Sequence, residues 1–504
     1  MAVPHPLQFY APGDWMNGFM RQIKQPVFTL RYTIKRLFQL SAVSALVLHA
    51  AVCLAGEASG DARELPSFEG RAEHPPPAAR DIHISDEQGL GLAAELFNAG
   101  QLEAAMQIYN LLLQSRQQEI STEAAFILSQ IYVGKEDYNQ AIELLIGILN
   151  RFPSLARVRL ELARAYFLNE NWEDARFHFE LVKGGKDIPP EVIANVDLFL
   201  QAIRRQKNWS LELGLGYVPD SNLNQSSGNT EECIATSLGL FCRELEDEKS
   251  GHGARLNVTG NYYWKLSKNF GIRNTLGIYL TEYGQSDYDD YILYAASGPR
   301  LLFGDSELSL QPTYTRRMYG GESYSESHGL RLDMQNDFGR LILASGGAFK
   351  KNSYAKGYVH SELKGQEYQY YLIPRLILSS QSFVQAGLEF TRDETENDIY
   401  GSDRWRYSLG WYYFFKHGFS LFVEGSLTQA TYHAGKWYIT EDHLFDFAKR
   451  RDLIKSLTVE LGTNIWEGQG IRPTLQYTYT RQDSNIWSHE YDRHRVNLLM
   501  SFRF

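Results

Sequence analysis

The residues able to do chemistry are few and dispersed. Thirteen histidines are scattered through 504 residues and never form an H-E-x-x-H pair. Neither a G-x-S-x-G elbow nor a phosphate-binding glycine loop occurs. The stretch EDHLFDF, 441–447, sets a histidine among acids, but it reads as a short amphipathic loop helix rather than a ligand set. Catalysis, a bound metal and a cofactor are therefore not expected. Of three cysteines, Cys53 lies in a long apolar run, while Cys233 and Cys242 stand together with eight residues between them. In an exported chain such a pair is expected to form a disulfide that closes one loop. One further stretch, GYVPDSNLNQ at 216–225, is dense in side chains that bind backbone. Pro219–Asp220 stops a strand, and the Ser and Asn side chains cap the exposed chain.

These residues need a frame, and composition bounds it. Net charge is −10, which gives a nucleic-acid partner no electrostatic support. Mean hydropathy is −0.36, and one long apolar run is present, so a bundle of membrane helices is excluded. A transmembrane β-barrel is not, because its apolar residues alternate with polar ones. The 31 Tyr, 27 Phe and 9 Trp make 13% of the chain, as barrel girdles require.

The apolar run, LFQLSAVSALVLHAAVCLAG at 37–56, follows Arg31, Lys35 and Arg36 and ends in small residues. That order is a secretory signal, with cleavage expected near Ala55 and either a long leader or a start at Met20. A membrane anchor is the competing reading. Residues 1–56 are thus leader and signal, and 57–86, with EHPPPAARD, read as a flexible linker.

From 87 to 205 the period is helical and repeats. Leu128, Tyr132, Tyr138 and Ala141 recur 34 residues later as Leu162, Tyr166, Trp172 and Ala175. Phe97, Leu102 and Ala105 give a looser upstream copy. This is the tetratricopeptide pattern, in which Ala lets two helices approach and the aromatic fills the gap. Such stacks present a concave surface for a peptide or protein, or serve as a rigid spacer.

From 206 to 504 the period is two. Trp209, Leu211, Leu213, Leu215 and Tyr217 oppose Ser210, Glu212, Gly214 and Gly216, and fourteen such runs follow one another. They start near 209, 253, 269, 289, 306, 324, 340, 367, 382, 403, 419, 452, 470 and 491. Tight turns near 267–269, 304–305, 339–340, 379–381, 416–418 and 467–469 are expected to alternate with long loops. That is outer-membrane barrel construction, and an even count puts both barrel ends on the periplasmic side. The fold class is therefore α plus transmembrane β, with periplasmic helical repeats ahead of a fourteen-stranded antiparallel barrel. Pro312, Pro374 and Pro473 fall inside runs and are expected at bulges or weakly paired points. The lumen is expected to carry both signs, at Glu212, Arg255, Arg273, Glu307, Arg317, Arg375, Glu389, Glu460, Arg472 and Arg503, suiting a water-filled path or one occupied by protein.

Two resemblances sharpen this frame. The last strand, RVNLLMSFRF, with Phe502 and terminal Phe504, resembles the signal read by the barrel assembly machinery, and its outer face implies contact with outer-membrane lipids. At Tyr217, Asp220, Ser221, Asn222 and Asn224 the chain resembles the surface lipoprotein assembly modulator family. Its members join periplasmic tetratricopeptide repeats to a fourteen-strand barrel and carry a Pro/His-Asp-Ser-Asn-x-Asn segment after the first strand. The resemblance implies delivery of a surface lipoprotein, or of a secreted haem- or iron-binding protein, across the outer membrane. The seam between first and last strands is the candidate lateral gate. An exopolysaccharide exporter and a passive porin are the rival functions.

Overall fold

A computed structural model describes residues 84–228, 231–355, 361–439, 444–464 and 466–503. The leader, the apolar run with Cys53, the linker up to residue 83 and Phe504 lie outside these residues.

Among the described residues seven helices come first: α1 (Asp86–Asn98), α2 (Leu102–Leu112), α3 (Gln118–Gly134), α4 (Tyr138–Arg151), α5 (Ala156–Leu168), α6 (Trp172–Val182) and α7 (Pro190–Gln206). Ser85 and Gln88 form a capping box at the first of them. Helices α1 to α6 pair off, and the fourth residue of each second helix is Ala105, Ala141 or Ala175, all without exposed surface. Each intra-pair turn holds one left-handed residue at the same place: Gly100 (φ 77°), Glu136 (φ 61°) and Glu170 (φ 60°). Such a residue ends one helix and reverses the chain for the next. Tyr109, Tyr166 and Phe179, fully buried, fill the space between helices.

The barrel begins with β1 (Trp209–Asp220). A separate hairpin, β2 (Glu231–Thr236) and β3 (Gly239–Glu244), stands in the connection to β4 (Gly251–Lys265). There follow β5 (Phe270–Tyr283), β6 (Asp290–Phe303), β7 (Ser306–Tyr319), β8 (Glu322–Phe338), β9 (Leu341–Tyr354) and β10 (Gly365–Ser379). The remainder are β11 (Ser382–Thr395), β12 (Ser402–Phe414), β13 (Phe419–Ile439), β14 (Phe445–Thr463), β15 (Ile471–Ser484) and β16 (Tyr491–Arg503). All but β2 and β3 pair with their neighbours, antiparallel, and β1 closes on β16. Closure gives every barrel strand a partner on both sides, as a bilayer demands.

Two expectations need correction, and a third holds at two of its three positions. The EDHLFDF segment is not helical where it is described. Phe445–Phe447 opens β14, seven residues earlier than expected, because its Phe-Asp-Phe alternation pairs with β13 and sets Phe447 against Trp437 at 5.4 Å. The connections are not uniformly long on one side either. β7 and β8 meet through Gly320 and Gly321 alone, whose φ of 60° and 81° only glycine adopts freely. The prolines do not make bulges. Register shifts fall between Arg317 and Met318, Ile377 and Ser379, and Thr431 and Gly435. Weak pairing does occur at two of the three. The β6–β7 ladder skips from Ala296–Thr313 to Arg300–Ser309, across Pro312, and β10–β11 skips from Leu372–Leu388 to Arg375–Gln385, across Pro374. A proline has no N–H to place in the ladder.

Candidate functional site

The seam where the barrel closes is tied at its long-loop end by the GYVPDSNLNQ stretch. Paired residues run from Glu212–Arg503 to Asp220–Arg495, and none is paired across Val218 and Pro219. On the other flank β1 pairs continuously with β4, from Trp209–Tyr262 to Asp220–Gly251. Side chains make good the shorter ladder. The Asp220 carboxylate, wholly buried, accepts from Arg493 Nε at 2.9 and 3.1 Å and from Nη2 at 2.5 Å. Beyond the strand, Ser221 N–H donates to the His494 carbonyl at 3.0 Å, and His494 N–H donates back to Ser221 Oγ at 2.9 Å. Asn222, with no exposed surface, donates from Nδ2 to the carbonyls of Ser226 (2.8 Å) and Asp492 (3.1 Å). Its Oδ1 accepts from Ser226 N–H at 3.0 Å. Asn224 turns away from the seam and holds the returning loop, through the Asp247 carbonyl at 2.7 Å and Lys249 N–H at 3.0 Å.

Asp220, Ser221 and Asn222 are thus brought together on β16, and Asn224 supports them. Tyr217 is not part of this knot. It lies on the outer face, its hydroxyl 2.8 Å from His252 Nδ1. Phe502 pairs with Leu213 across the seam and with Ile471 on the other side. Cys233 and Cys242 sit opposite each other in the β2–β3 hairpin and are bonded at 2.02 Å.

Inside the seam, glycine makes room. Gly216 carries no side chain where a Cβ would lie 2.4 Å from Leu499 Cδ2. Arg255 reaches across this gap from β4, donating to Asn497 of β16 at 3.1 Å and to Thr281 of β5 at 3.2 Å.

The opposite mouth, at the short-turn end, is occupied by α6. Leu181 packs with Ile342, Ile377 and Phe383, with Phe177, Tyr412 and Phe422 against them. Those wall residues lie on the inner face of β9 to β13. Gly184, just past α6, approaches β10 so closely that a Cβ would stand 2.6 Å from Ile377 Cγ2 and from the Ser379 carbonyl oxygen.

Charges ring this apolar contact. Arg472 donates to Asp174 at 2.7 Å and also to Glu467. Arg503 lies 3.8 Å from Asp174, Arg375 3.7 Å from Glu180, and Lys183 3.0 Å from Asp337. Arg204 holds Asp305 at 2.9 Å, and Asn464 donates to Asn150 at 2.9 Å. Three of the arginines expected in the lumen therefore meet acids of the helical repeat.

At the centre, Arg159 donates to His178 Nδ1 at 3.0 Å, and His178 Nε2 lies 3.6 Å from Glu467. Burial is the main influence on all three. It lowers the His178 imidazole despite the pull of Glu467, and it lowers Arg159 to about 10. Burial opposes ionisation of Glu467 too, but Arg472 and His178 outweigh it and hold the carboxyl at about 2. In Glu180 burial prevails over Arg176 and Arg375 and raises the carboxyl. None of these α6 partners was foreseen from sequence. The one signal was Asp174 and His178 at i, i+4, on a face that a free-standing repeat would leave to solvent.

Comparison with known proteins matches this arrangement. The family profile described as surface lipoprotein assembly modifier matches residues 209–504, and a tetratricopeptide repeat profile matches 132–183. The chain belongs to the surface lipoprotein assembly modifier family. This family member is 24% identical, over 73% of either chain, to the surface lipoprotein assembly modifier of Pasteurella multocida (strain Pm70). It is 22% identical to surface lipoprotein assembly modifier 1 of Haemophilus influenzae, over 73% of its own length and 74% of the relative's. It is 23% identical to the hemophilin secretion modulator of Acinetobacter baumannii, over 71% and 74%. This assembly modifier is an outer-membrane barrel with periplasmic tetratricopeptide repeats, so the short-turn mouth faces the periplasm.

Proposed function

We propose that this protein is an outer-membrane translocator that carries a lipoprotein, or a related haem- or iron-binding protein, from the periplasm to the cell surface. The observation that carries this reading is the seating of α6 in the periplasmic mouth. A passive pore has no use for a helical repeat held across its entrance by Arg375, Arg472 and Arg503. A repeat that receives a protein and stands at the entrance can couple arrival of cargo to opening. Names of relatives support the cargo class, since they are surface lipoprotein assembly modifiers and a hemophilin secretion modulator.

The route we favour is the seam. Its ladder is short, and its two ends are fastened by side chains, Arg493–Asp220 outside and Arg503–Glu212 (3.6 Å) inside. A seam can release a lipid-anchored protein sideways into the outer leaflet, which a closed wall cannot. Catalysis plays no part in this reading.

The test is surface display. A candidate lipoprotein is expressed in a Gram-negative host with and without this protein, and intact cells are treated with protease. Digestion that depends on this protein supports translocation. Cargo still shielded, with the barrel folded and the cargo made, would turn attention to polysaccharide export.

A further inference from the structure

The outer wall changes character abruptly on β14 to β16. Reading towards the cell surface, outward positions are Leu461, Leu475 and Leu498, then Val459, Tyr477 and Val496, then Leu457, Tyr479 and His494. The next row is Lys455, Arg481 and Asp492. Lys455 stands eight residues above Thr463, about 20 Å along the membrane normal for strands tilted about 40°. That is close to the top of an apolar band about 25 Å tall. Above it, Arg451 and Lys449 occupy the same face of β14 and are exposed.

Lys455 and Arg481 are direct cross-strand partners, an arrangement that costs energy unless an anion lies between. Asp483 partly serves, 2.5 Å from Lys455 and 2.8 Å from Arg481. Asp492 reaches Arg481 at only 3.9 Å. Lys449 and Arg451 make no ion pair among the described residues. Four cations therefore face two carboxylates. Two other outward arginines each meet one acid, Arg392–Asp403 at 2.8 Å and Arg316–Glu326 at 3.5 Å.

We propose that Lys449, Arg451, Lys455 and Arg481 form a binding site for the phosphate groups of the outer-leaflet glycolipid. The height fits at Lys455 and Arg481, since glycolipid phosphates lie at the boundary between acyl chains and sugars. The chemistry fits, since a phosphate would be shared by Lys455 and Arg481 and relieve their opposition. Tyr477, Tyr479 and His494 just below provide the amphipathic belt on which acyl chains end. The site depends on the outer-membrane barrel and not on what the barrel transports.

The test uses the full-length protein in detergent and, as probes, lipid A, lipid A stripped of phosphate, and phosphatidylglycerol, with bound lipid counted by native mass spectrometry. Lipid A should bind in preference to both others. Each of Arg451→Gln and Lys449→Gln, whose exposed side chains make no ion pair among the described residues, should weaken binding about fivefold. Lys455→Gln combined with Arg481→Gln should weaken it more, while Arg392→Gln on the far wall should change nothing. Equal retention of phosphate-free lipid A, equal competition by phosphatidylglycerol, or parental binding by the single variants would each overturn the assignment. Heat-shifted electrophoretic mobility verifies that every variant is folded.

Discussion

Replacing Asp220 with Ala should loosen the outer end of the seam by a predictable amount. The carboxylate is buried completely and engages Arg493 through three contacts, while the guanidinium is 18% exposed. Removing one member of a buried pair costs about 3–5 kcal/mol, because a charge is left without its partner. Arg493 retains some access to water, so the lower figure applies, about 3 kcal/mol. The Ser221 and His494 amides are next in line, bonded to each other's chain just beyond the pair. If the seam frays from that end, their hydrogen exchange should quicken on the order of 100-fold, at 1.4 kcal/mol per decade. Amides on the β10–β11 ladder should not change. Asp220→Leu with Arg493→Met, which removes both charges, should bring exchange back towards the parental rate. Unchanged exchange at Ser221 and His494 in Asp220→Ala would refute the idea that this pair fastens the seam.

Three further outcomes follow from the docked helix and the hairpin. Gly184→Ala must push α6 off Ile377 and the Ser379 carbonyl, at about 1–3 kcal/mol, so a cysteine placed at buried Ser380 should react with maleimide roughly tenfold faster. Burial lowers the His178 imidazole when docked, and release into water relieves that burial, so docking is strongest above the ordinary histidine range and weakens as pH falls through it. The loss is about 1.4 kcal/mol per unit until the docked imidazole itself protonates. Glu467, at about 2, and Arg159, at about 10, stay charged across that window, so His178→Gln should flatten the acid dependence of Ser380→Cys labelling. Raised Glu180 opposes docking only as it ionises with rising pH, the reverse slope, and survives that substitution. Cys233→Ser with Cys242→Ser should destabilise the β2–β3 hairpin by about 2–3 kcal/mol. Protease should then cut within 231–244 sooner, with the heat-shifted mobility of the barrel unaltered.

Much of the architecture was legible because two periods dominate the chain. Ala105, Ala141 and Ala175 mark where helices touch, and alternation marks each strand within a few residues, β14 apart. The GYVPDSNLNQ stretch was legible as a place where strands end, but Arg493, its chief partner, lies 273 residues away and gives no local sign. The α6 interface was hidden for a related reason. Buried Arg159, Asp174, His178, Glu180 and Lys183 look like surface residues of a repeat until the barrel wall covers them. The two-glycine join between β7 and β8 escaped notice because the strands continue past the point where their hydrophobic alternation fades.

On the proposed function, the helix seated in the mouth has one more consequence, for the cell between deliveries. A protein conduit wide enough for a polypeptide would, if left ajar, admit antibiotics and bile salts and let periplasmic solutes drain. The apolar contact of Leu181 with Ile377 and Phe383, inside its ring of ion pairs, is a seal of the kind a permeability barrier requires. Cells making a variant with that contact broken should grow normally in plain medium and fail first on detergent or a large hydrophilic antibiotic, before any defect in cargo is noticed.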